Sequence, residues 1–252
     1  VDLDGDGFWE CGQDPCKGGG IPLLANGVSS SYSQIRTWNA STNVFGPASP
    51  ATPWIGDLTI TPGREVIGVG RDQYFKLAIY QLDLDTGHAI HIGSNGANLT
   101  GVWDYGIASD LHGNLWVGIN DKLYLFDRGQ DSWTLLAATG WGGIVDLTWY
   151  QGRLWMMTQS GVAYYDAATA TVVPVAPLSG LPRSIEATSH GLYIGNGALL
   201  ESFDPATGTT TTVKTIPVGM YQYALGGYYA LCEGAQEVCD GLDNDANGIT
   251  DD

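Results

Sequence analysis

A pattern recurs along this chain about every 40 residues, and it constrains the fold more tightly than any other feature. Each copy ends in a short turn motif: Trp38-Asn39-Ala40-Ser41-Thr42, Leu82-Asp83-Leu84-Asp85-Thr86-Gly87, Phe126-Asp127-Arg128-Gly129, Tyr165-Asp166-Ala167-Ala168-Thr169 and Phe203-Asp204-Pro205-Ala206-Thr207-Gly208. An acid or amide at a strand end, followed by small polar residues, forms an Asx turn in which the side-chain oxygen takes nearby backbone amides. Upstream of most copies a glycine opens an apolar run, as in Gly113-Asn114-Leu115-Trp116-Val117-Gly118, Gly152-Arg153-Leu154-Trp155-Met156 and Gly191-Leu192-Tyr193-Ile194-Gly195. Ahead of that comes another strand, predicted over Ile55–Ile60, Val102–Ala108, Ile144–Trp149, Ser184–Thr188 and Met220–Leu225. Asp57, Asp104, Asp146 and Glu186 mark matching places in it, at offsets of 47, 42 and 40 residues.

About four short strands in roughly 40 residues are the pattern of a β-propeller blade. The expected fold is therefore all-β, a five-bladed β-propeller. Its fifth blade is divided: the first strand comes from near Tyr221–Leu225, and later strands come from Gln34–Trp38 and Asn43–Phe45. The second strand of that blade is either Ile21–Leu24 or Tyr228–Leu231. Pairing the two ends of the chain would close the ring and remove exposed sheet edges. Glycine (36), tyrosine (13) and tryptophan (9) are abundant, which suits strands and tight turns better than helices. Leu-Trp and Phe-Asp strand motifs of this kind resemble those of secreted bacterial propellers, a likeness of fold that says little about activity.

Charge divides the chain into three segments: 1–20, 21–231 and 232–252. The formal net charge is −17, from 10 basic and 27 acidic residues. Twelve of those acids lie in residues 1–16 and 232–252, and residues 17–231 between them carry only −5. Nucleic acid and anionic membrane are poor partners for such a chain, and no stretch is long or apolar enough to span a bilayer. All four cysteines (Cys11, Cys16, Cys232 and Cys239) also lie in the acidic ends, as expected of disulfides in an oxidising, extracellular or cell-surface setting. Three pairings are possible, and Cys11–Cys16 with Cys232–Cys239 are the local closures. The chain begins without Met, as expected of a processed or excised segment.

The acidic ends alternate carboxylates with glycine, the arrangement that wraps a hard cation in oxygen ligands. The first loop supplies Asp2, Asp4 and Asp6, then Gly7, the Phe8 carbonyl and Glu10, with Asp14 in reserve. The second supplies Asp243, Asp245 and Asn247, then Gly248, the Ile249 carbonyl and Asp251, with Asp240 in reach. All-oxygen ligands on flexible loops without histidine select Ca2+ over zinc or copper. Neither loop has its own twelfth ligand. Read with the last residue before the first, the sequence continues without a break through Asp-Ala-Asn-Gly-Ile-Thr-Asp-Asp-Val-Asp-Leu-Asp-Gly-Asp-Gly. Cation sites shared between copies, as tandem repeats or head-to-tail subunits, would complete the ligand set.

Together the ends resemble the metal-binding motif repeated in many secreted bacterial and archaeal proteins. That motif runs Asp-x-Asp-Gly-Asp-Gly-aromatic, then cysteines, then Glu-Val-Cys-Asp-Gly-x-Asp-Asn-Asp-Cys-x-Gly. Here Asp2 to Cys16 match its first half and Gly234 to Asp252 its second, with the repeat region inserted between. The resemblance implies metal binding outside the cell. Ala246 stands where the family has Cys, and Cys232 is extra, so the family's disulfide pattern does not carry over.

No nucleophile elbow, phosphate loop or His/acid pair occurs, and a non-enzyme is expected. Asp57, Asp104, Asp146 and Glu186 would ring a central channel, where a cation or substrate site competes with simple bracing of the repeat. His88, His91, His112 and His190 fall at turns or flank a strand. The tryptophans fall on strands, where packing between sheets is the default and carbohydrate stacking the lesser reading. Asn39-Ala40-Ser41 and Asn98-Leu99-Thr100 fit the glycosylation triplet. The leading expectation is an extracellular structural unit, calcium-stabilised and joined end to end into a fibre, tube or surface layer. A lectin-like binding module is the alternative, and a channel hydrolase or lyase the weaker third.

Overall fold

The computed structural model describes residues 22–28, 32–39, 44–45, 47–61, 63, 65–94, 104–110, 112–178, 182–188, 191–197, 199–215 and 222–227. Strands β1 (Pro22–Val28), β2 (Ser33–Asn39) and β3 (Val44–Phe45) come first. The next sheet is β4 (Ile55–Ile60), β5 (Val66–Arg71), β6 (Leu77–Leu82) and β7 (Ala89–Ser94). Another holds β8 (Tyr105–Ser109), β9 (Leu115–Ile119), β10 (Lys122–Asp127) and β11 (Ser132–Ala138). It is followed by β12 (Ile144–Tyr150), β13 (Arg153–Thr158), β14 (Gly161–Asp166) and β15 (Thr171–Pro177). The last consecutive set is β16 (Pro182–Thr188), β17 (Gly191–Asn196), β18 (Leu199–Asp204) and β19 (Thr209–Thr215). Strand β20 (Gln222–Gly227) joins the opening strands in the order β20-β1-β2-β3. The strand between β20 and β2 is thus the N-terminal one. Every pairing in these sheets is antiparallel.

Burial declines from the first strand of a sheet to the fourth. All six residues of β4 and all five of β8 are buried, whereas β11 and β19 have no fully buried residue. First and second strands are covered on both faces by neighbouring sheets, so their sequences are nearly all apolar. Outer strands are half solvated, and the threonine run Thr209–Thr212 is part of one of them.

The core lies between sheets and follows the two-residue period of a strand. On β13, Leu154 and Met156 pack toward Ala108 and Leu123 of one neighbouring sheet. Trp155 and Met157 pack toward Ile185, Leu192, Ile194 and Phe203 of the other. Ile67, Val69 and Ile79 meet Ile107, Val117 and Phe126 in the same manner. The tryptophans fill these seams: Trp116 meets Trp149 edge-on at 5.4 Å, and Trp133 lies 4.7 Å from Phe126. Sheet packing accounts for Trp116, Trp133, Trp149 and Trp155 as expected.

The predicted Asx turns are present wherever their side chains are described. Asp83 Oδ1 accepts the Asp85 and Thr86 amides, and Asp127 Oδ1 those of Gly129 and Gln130. Asp166 and Asp204 take the amides of Ala168 and Ala206, and their second oxygens accept the Thr169 and Thr207 hydroxyls. The threonine bonds hold the Asp83, Asp166 and Asp204 carboxyls below the usual range. Between neighbouring sheets, Arg128 forks onto both oxygens of Glu65 at 2.5 and 3.1 Å.

Candidate functional site

The carboxylates singled out by the repeat do not share one structural position. Val69, Gly118, Met157 and Gly195 each stand three places into a second strand, after Val66, Leu115, Leu154 and Leu192. Their cross-strand partners are Asp57, Gly106, Asp146 and Ser184. Only Asp57 and Asp146 are therefore equivalent. Asp104 lies two residues before its sheet's matching position, outside β8, where its Oδ2 accepts the Gln159 amide at 2.7 Å. Glu186 lies two residues beyond, at the place of Thr59 and Thr148. β4, β12 and β16 each carry a bulge just before the matching residue and β8 does not, which accounts for one residue of the Asp104 offset and none of the Glu186 offset. Sequence spacing alone does not reveal a bulge.

Asp57 and Asp146 are fully buried and bonded to each other through their side chains. Asp57 Oδ1 accepts its neighbour Leu58 N at 2.8 Å, and Oδ2 accepts Ile107 N of the next first strand at 2.6 Å. Asp146 repeats the arrangement, with Leu147 N at 2.6 Å and Ile185 N at 2.8 Å. Two residues on, Thr59 Oγ1 accepts Ser109 N, and Thr148 Oγ1 accepts Ala187 N while donating to Glu186 Oε1. Each acid thus ties its own sheet to the next.

Gly106 makes the acid pair possible. It occupies the matching position on β8, between β4 and β12. A Cβ there would stand 2.7 Å from both Cα and C of Asp146. Without a side chain at 106, the carboxyls of the flanking strands meet across it.

Burial pushes the Asp57 carboxyl up to about 8, against the pull of its bond to Asp146 and of the Ile107 and Leu58 amides. Burial, and then the charges of Asp57 and Glu186, raise Asp146 well above the ordinary carboxylate range. Two carboxylates in contact cannot both ionise in a dry site, so the pair holds a proton at neutral pH. Each of the four oxygens also accepts a backbone amide. Neither acid is exposed to solvent, and the arrangement braces four first strands, β4, β8, β12 and β16, rather than presenting a group to a substrate.

The calcium-ligand candidates Asp2, Asp4, Asp6, Phe8, Glu10, Asp14, Asp240, Asp243, Asp245, Asn247, Ile249 and Asp251 lie outside the described residues, as do all four cysteines, His190 and Asn98. Among the described residues, no three His, Cys, Asp or Glu side chains cluster as metal ligands. His112 and His88 sit in turns, donating their amides to Asp110 and Thr86.

His91 belongs to a feature that the periodicity does not signal, an open groove of about 700 Å³ beside β5 and β7. Trp54, Arg71, Asp72, Gln73, Phe75 and His91 line it. Arg71 lies over the Trp54 ring at 5.2 Å and the Tyr105 ring at 5.9 Å. The loop from Asp72 to Lys76 matches that from Asp110 to Asn114 bond for bond. In each, the acid's amide and carbonyl close the turn, and its Oδ1 accepts two further amides. Gly113 takes the left-handed position of the second loop, with φ +76°, and Phe75 takes it in the first, with φ +60°. A side chain there costs about 1–2 kcal/mol, yet the Phe75 ring is 68% exposed. The clue in the sequence was an aromatic pair, Tyr74-Phe75, in a turn where glycine would serve.

No family model matches this chain, and no curated protein matches it. Solved structures do. It is similar to a chain of a crystallised nidogen/laminin complex, with TM-score 0.54 and 15% identity over 85% of this chain and all of that one. TolB from Acinetobacter baumannii gives TM-score 0.53 at 16% identity, over 78% of this chain and 52% of that one. A protein of unknown function from Bacteroides thetaiotaomicron gives 0.51 at 15%, over 82% and 64%. The fold is a β-propeller. At such identities the likeness extends to fold alone.

Proposed function

We propose that this chain is an extracellular, non-catalytic structural unit: a closed ring of five blades whose acidic ends bind Ca2+ and join copies end to end. One observation carries the reading. Leu23 of β1 pairs with Gly227 of β20, so the segments before residue 22 and after residue 227 leave one sheet from adjoining strands at the same end. On this reading the candidate ligands Asp2, Asp4, Asp6, Glu10 and Asp14 would reach the same side of the ring as Asp240, Asp243, Asp245, Asn247 and Asp251. The placement of β20 against both β16 and β4 supports ring closure. The engagement of Asp57 and Asp146 in bracing supports a scaffold over a channel enzyme.

Ca2+ would neutralise acidic ends that otherwise repel each other, and oxygens from two copies would complete the coordination. A contact of this head-to-tail kind need not close on itself, which is the geometry of a fibre.

Equilibrium dialysis with Ca2+, followed by electron microscopy with and without chelator, tests both parts. Saturable binding that D4N and D243N each weaken, with assemblies that disperse on chelation, is the expected result. Absence of binding removes the calcium reading. Binding by dispersed monomers that never associate removes the polymer.

A further inference from the structure

We infer that the groove between Trp54 and Phe75 is a binding site for a short neutral carbohydrate chain, independent of the acidic ends. Its volume of about 700 Å³ falls within the range of small-ligand sites. Phe75 supplies the first argument. Its backbone is held left-handed where the sister turn uses Gly113, and its ring is 68% exposed, so neither local geometry nor core packing calls for phenylalanine. Tyr74 beside it is equally exposed. A strained backbone that presents an apolar ring to solvent is a feature found where a ligand is gripped.

The polar groups narrow the ligand. The Arg71 guanidinium lies within about 6 Å of both the Trp54 and the Tyr105 ring, which are perpendicular to each other and confine it. The Tyr74 and Lys76 amides bind Asp72 Oδ1 at 2.8 Å each, which fixes that carboxylate. Gln73 adds a side chain that both donates and accepts, and His91 is held edge-on to Tyr80 at 5.7 Å. The groove thus combines donors, acceptors and aromatic rings in one lining. A pyranose ring offers the matching surfaces: an apolar C–H face to lie on an aromatic, and equatorial hydroxyls that donate and accept. The fixed charges in the groove, Arg71 and Asp72, oppose one another, and the chain as a whole is strongly acidic. A polyanion has no favourable field here, and a purely apolar segment would remove the Arg71 and Asp72 charges from water.

The test is a neutral and acidic oligosaccharide array probed with the intact chain in excess chelator, followed by titration of cellohexaose and of the best array sugar, read by tryptophan fluorescence. The expected result is binding to neutral oligosaccharides with a change in Trp54 emission. F75G should weaken it at least tenfold while raising the melting temperature by roughly 2–4 °C, as relief of strain predicts. Q73A should weaken it without altering the melting temperature. The inference is overturned if no neutral sugar binds, if only acidic sugars bind, or if F75G binds as tightly as the parent chain. Because chelator removes any calcium-dependent assembly, failure here leaves the end-to-end reading untouched.

Discussion

Ala170 occupies a turn position that two sister turns give to glycine. Gly87 and Gly208 close their Asx turns at φ +71° and +69°, while Ala170 must adopt +52° with a Cβ attached. Ala170→Gly should therefore stabilise the fold by about 0.5–1 kcal/mol, the strain relieved being partly offset by the freer unfolded chain. Thermal melting checks it, and a lowered midpoint would contradict the strain argument. Gly106 presents the opposite case. A methyl at that position meets the Asp146 backbone, which cannot move without disturbing β12. Gly106→Ala should cost about 3 kcal/mol or more and separate Asp57 from Asp146, measured by urea unfolding. The turn motifs were legible as residues, because an Asx turn needs only neighbours in sequence. The demand for glycine at 106 was not, because it arises from a strand 40 residues away.

First strands are joined to one another by side chains as well as by packing, and the acids in those ties respond to pH. The folded pKa of Asp57 lies above its unfolded value, so the unfolded chain binds fewer protons between about 4 and about 8. Its contribution to stability is complete below pH 4, falls as pH rises through that window and is level above it. With calcium chelated, the melting temperature should decline across that range. Asp57→Asn keeps the shape but removes one charge from the pair. It should flatten the decline, at a cost of about 1–3 kcal/mol at pH 5 because one amide donor is left without an acceptor. A pH dependence identical to the parent's would refute the shared-proton account. The repeat identified Asp57 and Asp146 from spacing alone. It misregistered Asp104 and Glu186 by two residues, because spacing along the chain does not fix cross-strand register, and the bulge that β4, β12 and β16 share is missing from β8.

At the scale of the whole molecule, the sheet β20-β1-β2-β3 unites residues more than 180 positions apart. If the proposed calcium loops close across that junction, Ca2+ should act as a clasp on the fold. At free Ca2+ a hundredfold above Kd, binding adds about 2.7 kcal/mol, and chelation should lower the melting temperature by roughly 5–10 °C. A midpoint insensitive to chelator would show that the ends do not stabilise the propeller, even if they bind the ion.

The sequence alone determined the all-β repeat, the strand order within each consecutive sheet and the turn chemistry, because all of these depend on local periodicity and nearest neighbours. It also marked the acidic ends as candidate oxygen-rich cation loops. Tertiary structure decided which strand stands beside β20, which two acids meet across Gly106, and that Trp54, Arg71 and Phe75 share one groove. Those facts depend on register and on contacts between separate sheets, where a one-residue bulge redirects a side chain and no periodicity records it.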